Sequence, residues 1–152
     1  MPQAYTSIIM VNALSIRDVL NHTPTSDPTT STVIGADAST GTMIAVDMHE
    51  YVYCVLKMVN THNQIIRIQF FGNVSLRLAA GGYVSVATAA ASNPDRLGVP
   101  VDVLASDSQT RIASINDASI MPIVFAQATA LVLPTSGTLT IIAELFGTLQ
   151  GL

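Results

Sequence analysis

The feature that most constrains the fold is a strict period of two near the end of the chain. Odd positions are apolar and even positions are mostly polar: Leu139, Ile141, Ala143 and Leu145 against Thr138, Thr140, Ile142 and Glu144. Successive side chains of a strand point to opposite faces, so this pattern predicts a half-buried antiparallel strand. An apolar run precedes it, and Pro134 and Gly137 supply turn chemistry. We therefore predict a β-hairpin over Met121–Phe146.

Two more runs show the same alternation on either side of the turn Asn60-Thr61-His62-Asn63. The predicted core positions of these runs, 50–59 and 64–71, are Val52, Cys54, Leu56 and Met58 in the first and Ile66, Ile68 and Phe70 in the second. Arg67 and Gln69 lie on the opposite face of the second run. We predict that the two strands pair in one sheet and that Cys54 is buried.

From Val33 onward, short β-prone runs are separated by turn residues about every ten positions, the spacing of an all-β sandwich or barrel. Turns are predicted at Asp37–Gly41, Gly72-Asn73 and Ala80–Gly82, and weaker strands at Val101–Leu104 and Thr110–Ala113. The predicted fold is an antiparallel, jelly-roll-like β-sandwich over residues 33–152.

The N-terminal residues 1–32 are predicted to form an arm that lies along a neighbouring subunit. Ser15-Ile16-Arg17-Asp18 has the form of a capping box, which predicts a short helix near residues 15–22. Residues 23–32 contain Pro24, Pro28 and many Ser and Thr residues, so this segment is expected to be a connector.

The composition favours an assembled protein. A chain of 152 residues fits one domain. Charged residues make up 11% of it, against about 25% in soluble proteins, and a charge-poor surface resists association poorly. With one Lys and a net charge of −4, direct nucleic-acid binding is not expected. No secretory signal or bilayer-length apolar run is seen, so a membrane partner is not expected either.

Residues with catalytic or metal-binding chemistry are few. Cys54 with His49 or His62 is the nominal nucleophile–base pair, but a mid-strand Cys favours a buried hydrophobe. Two sets of possible metal ligands are Asp47, His49, Glu50 and His62, and, more weakly, Asp102, Asp107 and Asp117; solvated polar residues at strand ends are the favoured interpretation. The chain has neither a G-x-S-x-G elbow nor a nucleotide-binding motif. We predict no enzyme activity, no catalytic residues, no cofactor and no metal.

The tyrosines offer a different kind of site. Tyr51, Tyr53 and Tyr83 have Asn and Gln neighbours and could line a sugar-binding face, although ordinary strand packing is the favoured interpretation because the chain has no Trp.

The strand pair around Asn60–Asn63, followed by Met121–Ala130 and by Pro134-Thr-Ser-Gly-Thr-Leu-Thr-Ile, resembles a β-sandwich pattern in structural proteins of tailed phages. The resemblance covers roughly residues 42–146. It implies a virion component, such as a head decoration protein, a head-fibre base or a tail-associated module, made in the host cytoplasm and located in the virion.

We therefore expect a non-enzymatic structural subunit of a viral (phage) particle. Its expected partners are further copies of itself, with a trimer favoured, and other virion proteins such as a major capsid protein. The alternative is a glycan- or host-surface-binding module. A third hypothesis, an enzyme, requires His49, Glu50 and His62 to converge or Cys54 to be reactive in a pocket.

Overall fold

The described residues form strands joined by loops. The computed structural model describes residues 5–18, 21–22, 24, 32–33, 39–48, 51–73, 95–96, 98–114 and 123–147. Eleven strands lie within them: β1 Tyr5–Ser15, β2 Thr32–Val33, β3 Thr40–Met43, β4 Val46–Asp47, β5 Tyr53–Asn60, β6 Ile66–Asn73, β7 Asp95–Arg96, β8 Val101–Val103, β9 Asp107–Ser114, β10 Ile123–Ala130 and β11 Leu139–Phe146. No helix in this part of the chain is long and apolar enough to cross a membrane.

The strands form two antiparallel sheets. The first has six strands in the order β2-β3-β1-β11-β5-β9, and the second contains β4-β10-β6-β7, with β8 also paired to β6. Strands that follow one another in the chain rarely lie side by side. From β3 to β6 and again from β8 to β11, every connection carries the chain from one sheet to the other. The predicted all-β antiparallel class is therefore confirmed.

One buried core takes its side chains from both sheets. Leu56, Met58 and Ile141 of the six-stranded sheet belong to the same cluster as Ile68 and Ala126 of the five-stranded sheet, and each is at most 1% exposed. The predicted inner faces of β5, β6 and β11 are confirmed at every position within those strands, including Cys54. Alternation therefore identified the buried face of each strand correctly.

The predicted terminal hairpin is wrong. β10 pairs with β4 and β6, whereas β11 pairs with β1 and β5. Residues 131–138 cross from one sheet to the other. Tight hairpins have connections of two to five residues, and this longer segment spans the roughly 10 Å between packed sheets. Each strand then buries its apolar face against the opposite sheet.

The predicted pairing of the strands on either side of Asn60–Asn63 is wrong for the same reason. β5 lies between β11 and β9, and β6 lies in the other sheet beside β10. Residues 61–65 make the crossing. The Asn60 amide donates hydrogen bonds to the carbonyl oxygens of Gln64 and Val103, which fixes the corner where the chain leaves the sheet.

The N-terminal segment also differs from the prediction. Residues 5–15, expected in an arm, form β1 inside the six-stranded sheet, paired with β11 and β3. The predicted helix is absent over residues 15–18 and 21–22. Ser15 ends β1 opposite Thr40, so pairing between strands overrides the local capping signal. The rest of the predicted helix, at 19–20, lies outside the described residues.

The two weaker strand predictions are confirmed as β8 and as part of β9. The predicted turn at Ala80–Gly82 lies outside the described residues.

Candidate assembly surface

Nine outward side chains of β1, β11 and β5 form a grid on the six-stranded sheet, which we call the β1–β11–β5 face. Three rows cross the strands in register: Tyr5–Phe146–Tyr53, Ser7–Glu144–Val55 and Ile9–Ile142–Lys57. In β11 and β5 these positions alternate with fully buried ones. Six of the nine side chains are apolar or aromatic, and Tyr5 and Ile9 are 55% and 51% exposed.

The first row is a run of three aromatic rings. The Phe146 ring stacks on Tyr53, with centroids 4.7 Å apart and an angle of 9° between the ring planes. The Tyr5 ring also packs against Phe146, with a centroid distance of 5.1 Å and an angle of 52° between the planes. A spacing of 4.7 Å equals the distance between adjacent strands. The rings of Phe146 and Tyr53 therefore face each other and turn their edges toward solvent.

The grid carries two opposite charges, Lys57 and Glu144, and hence no net charge. These two residues lie on adjacent strands, in neighbouring rows of the grid: Glu144 pairs with Val55, two residues before Lys57. A flat, mostly apolar surface without net charge can be covered by another protein with little loss of hydration of charged groups.

A second group of exposed apolar side chains lies in the loops at one end of the five-stranded sheet. Ile65 comes just before Ile66, and Leu131 just after its partner Ala130. Leu104 comes just after Val103, which also pairs with Ile66. We call the following residues the loop patch: Ile65, Leu104, Leu131, Val132 and Leu133, each between 37% and 57% exposed.

The outer face of the five-stranded sheet has a different character. The Arg67 guanidinium donates two hydrogen bonds to the Asp102 carboxylate, at 2.7 and 2.9 Å. These bonds hold the pKa of Asp102 below its usual value. Gln69, Gln127 and Thr129 lie beside this pair on β6 and β10. This face is polar around Arg67 and Gln127, whereas Phe71 and Phe125, further along the same two strands, stack on each other and are buried.

His62 is part of the scaffold and has no spare nitrogen for catalysis. Its Nδ1–H donates to Asn60 Oδ1 at 2.8 Å, and its Nε2 accepts the Ile16 backbone N–H at 3.1 Å. Burial and the nearby Arg17 guanidinium lower its pKa to about 4. The ring is therefore neutral at physiological pH, and it ties the β5–β6 connection to the end of β1.

A chain of polar contacts continues from this point. Arg17 donates to the Gly137 carbonyl oxygen at 3.2 Å, and its backbone N–H donates to Ser39 Oγ at 2.7 Å. The Ser39 hydroxyl donates to Asp18, which also bonds His22 at 3.0 Å. These contacts fix the segment after β1 and have the character of structural hydrogen bonds.

The structure does not bring the nominal nucleophile and base together. Cys54 lies near the start of β5 and His62 just past its end, and the strand from Cys54 to Asn60 alone spans about 20 Å. Cys54 is 1% exposed in the core. Among the residues that the structure describes, no three His, Cys, Asp or Glu side chains form a group that could hold a metal ion. Of the two predicted ligand sets, the structure places Asp47 in β4, Asp102 in an ion pair with Arg67 and Asp107 at the start of β9. The other predicted ligands His49, Glu50 and Asp117 lie outside the described residues.

Of the three tyrosines proposed for sugar binding, Tyr51 and Tyr53 lie within the described residues. Tyr51 packs against the core, and Tyr53 stacks on Phe146. Tyr83 lies outside the described residues. Sugar rings stack on exposed aromatic faces, and the face of Tyr53 toward Phe146 is already occupied.

Sequence reasoning missed β1 as a contributor to the surface. The segment contains the apolar, β-prone run Ile8–Val11, which is a strand signal, although residues 1–32 are predicted above to form an arm. The sequence matches no protein-family model, and a search of curated proteins gives no match. Function therefore has to be inferred from these surfaces.

Proposed function

We propose that the protein is a non-enzymatic structural subunit of a viral particle of the tailed-phage type, and that it assembles through the β1–β11–β5 face. The observation that carries this proposal is the grid itself, an outward array of exposed and half-buried apolar and aromatic side chains with no net charge. Contiguous apolar patches on soluble proteins usually mark interaction sites.

We also propose that the fold is a β-sandwich of the jelly-roll type. The strand order supports it: β1-β11-β5-β9 lies in one sheet and β4-β10-β6 with β7 and β8 in the other, which corresponds to two interlocked Greek keys. Jelly rolls occur in viral capsid proteins and in lectins. The resemblance of residues 42–146 to phage structural proteins favours the capsid alternative.

The size of the grid argues for contacts with more than one neighbour. Three strands over five residues cover about 14 Å by 17 Å, well below the roughly 800 Å² per partner of a stable complex. Repetition of such a contact in a closed homo-oligomer, for which we favour a trimer, adds the stability that one contact lacks. The loop patch offers a separate surface for another virion protein, such as a major capsid protein.

The test is the molar mass in solution, measured by light scattering on the full-length chain. A trimer or another discrete oligomer is expected. Ile9→Lys places a charge on the exposed apolar side chain at one corner of the grid and should shift the protein to monomers, because an unpaired charge is costly to bury. Val99→Lys is the matched control, since Val99 is 73% exposed and lies outside the grid.

Circular dichroism of each variant checks that the fold is kept. A monomeric wild-type protein, or an Ile9→Lys oligomer as stable as the wild type, would overturn the proposed use of this face.

A further inference from the structure

The edges of the two sheets differ in length. Most edge strands are short: β2, β4 and β7 have two residues each, and β8 has three. The exception is β9, which forms the outer edge of the six-stranded sheet over eight residues, Asp107–Ser114. All eight pair with β5 on one side, and no described strand pairs with the other side. About half of the backbone N–H and C=O groups of β9 therefore point away from the sheet.

Long edge strands usually carry a device that prevents pairing with another chain, such as a Pro, a Lys or a β-bulge. Residues 107–111 read Asp-Ser-Gln-Thr-Arg, with neither Pro nor Lys, and their register with β5 is continuous. Charges on the inner side of an edge strand are a further device. Asp107 and Arg111 are on that side, because they pair with the inward residues Asn60 and Leu56. These two charges, however, have opposite signs.

The order of side chains in β9 is complementary to its own reverse. Consider an antiparallel pair of two copies centred on Gln109. Asp107 of each copy then lies opposite Arg111 of the other, and Ser108 lies opposite Thr110 in the same way. Opposite charges and paired hydroxyl groups in directly opposed positions stabilise an antiparallel pair. A second copy of the chain is therefore the partner that this edge fits.

The side chains that would meet the second copy are accessible. Residues 107–110 are exposed and Arg111 is half-buried. Arg111 donates one of its N–H groups to the Val99 carbonyl oxygen at 2.6 Å, and the guanidinium has others to donate. A slip of the pair by two residues would place Arg111 opposite Gln109 or Ala105 and leave both charges unmatched across the axis. The charges thus select one register.

We propose that β9 is a self-pairing edge, through which two copies of the chain form a two-fold contact centred on Gln109. Backbone hydrogen bonds hold the two strands together, and the pairs between Asp107 and Arg111 set the register. Two six-stranded sheets then become one sheet of twelve strands, with both β1–β11–β5 faces on the same side. Those faces remain open, so the contact goes beyond the proposed function and does not depend on it.

The contact is small and gains its effect by repetition. Five opposed pairs span about 17 Å of strand, and two strands bury far less than the roughly 800 Å² per partner of a stable complex. Alone, the contact forms only transiently and leaves the expected molar mass of the Ile9→Lys variant unchanged. Between closed oligomers it supplies a second kind of contact, which extends them into a larger assembly.

The experiment is disulfide trapping, which detects transient contacts. The full-length protein is oxidised with copper–phenanthroline and analysed on a non-reducing gel. Gln109→Cys places two thiols directly opposite each other, with Cβ atoms about 5 Å apart, and should give a covalent dimer. Thr110→Cys is the matched control, because its two copies are offset along the strands beyond the roughly 7 Å Cα limit for a disulfide, and its yield should be about tenfold lower. Cys54 is 1% exposed and is shielded from the reaction.

The register is tested by mixing two variants. Ser108→Cys and Thr110→Cys should each give little covalent dimer alone. An equal mixture should give it readily, because residue 108 of one copy lies opposite residue 110 of the other. Circular dichroism checks the fold of each variant, and the mixture keeps the test decisive if Gln109→Cys does not fold.

Equal yields from Gln109→Cys and Thr110→Cys, or no gain on mixing, would overturn the proposal, and pairing of β9 with a strand of a different protein would give this result. The same yields are expected when Ile9→Lys is added to each variant. Failure of the β9 contact is therefore seen in the trapping yields, whereas failure of the grid contact is seen in the molar mass of Ile9→Lys.

Discussion

Among single residues, His62 and its partners decide how the chain turns between the sheets. Asn60 bonds three backbone carbonyl groups, those of Gln64, Val103 and Leu104, through its amide nitrogen. Its Oδ1 accepts hydrogen bonds from both the backbone and the ring of His62. These bonds satisfy buried polar groups at a corner that no regular pairing covers.

Stability should fall in acid because of His62. The pKa of His62 is about 4 in the folded protein, against 6.5 for an unperturbed histidine. Between pH 4 and pH 6.5 the unfolded chain therefore binds more protons than the folded protein does. The stabilisation is complete above pH 6.5 and is lost as the pH falls toward 4, by about 3 kcal/mol in total. Urea unfolding of the wild type across this range measures it.

His62→Gln is the companion variant for that measurement. A glutamine amide can still donate to Asn60 and accept from the Ile16 N–H, but it does not titrate. We expect it to flatten the pH dependence between 4 and 6.5. An unchanged slope in this variant would show that other groups cause the acid sensitivity.

Gly137 should tolerate no side chain. Its φ is +89°, and an added Cβ would meet the backbone of Thr61 and His62. Gly137→Ala should therefore cost about 3 kcal/mol or more in the free energy of unfolding. Gly98→Ala is the control: φ is +73° there, but the Cβ would meet the end of the Arg111 side chain, which can move. Its cost should stay near 1–2 kcal/mol, and equal losses in the two variants would contradict this explanation.

Among the elements, β11 holds the six-stranded sheet together. It pairs along its whole length with β5 and with β1 over Tyr5–Leu14. Its inner side chains are all fully buried, and its outer ones are half-buried. The strand therefore has one face in the core and one face in the proposed interface.

The two faces of β11 should respond differently to truncation. Ile141→Ala removes a fully buried side chain and should lower the free energy of unfolding by about 2–5 kcal/mol. Ile142→Ala, one residue along the same strand and half-buried, should cost under about 1 kcal/mol in the monomer. Chemical denaturation of dilute protein compares them; similar losses would contradict the assigned faces.

Removal of residues 1–15 should unfold the protein. The deletion takes away β1, with Met10, Val11 and Leu14 from the core, and leaves the edge of β11 unpaired. Loss of cooperative thermal unfolding by circular dichroism is the expected result. Removal of residues 1–4, which precede β1, is the control. A folded protein without residues 1–15 would restore the arm interpretation.

At the scale of the whole molecule, the outer faces of the two sheets differ in how their charges are placed: Lys57 and Glu144 stand among apolar side chains on the β1–β11–β5 face. The β1–β11–β5 face and the loop patch are mostly apolar, whereas the Arg67–Asp102 pair lies on the outer face of the five-stranded sheet. The chain has only 11% charged residues in total. A mostly apolar face with few charges suits a subunit that is covered by neighbours on that side.

The proposed assembly should resist salt. Apolar burial is not screened by ions, whereas contacts between exposed charges weaken as the Debye length falls to about 3 Å at 1 M salt. We expect the molar mass by light scattering to be the same at low and at molar sodium chloride. Dissociation in high salt would mean that ion pairs, and not the grid, hold the subunits together.

Alternation in the sequence correctly identified the buried faces of β5, β6 and β11, because the direction of each side chain follows from the strand's own backbone. The same reasoning identified Cys54 as a core residue. The capping signal at Ser15–Asp18 gave a wrong prediction of a helix, since local signals are weak against the pairing of a whole strand.

Tertiary structure alone decided which strands pair and which surfaces result. A strand with one apolar face has the same sequence pattern whether its neighbour in the chain lies beside it or across the core from it. The choice depends on how all the apolar faces are buried together, which no local window contains. For the same reason, the rows that join Tyr5 to Phe146 come from residues far apart in the chain, and they exist only once the strands have paired.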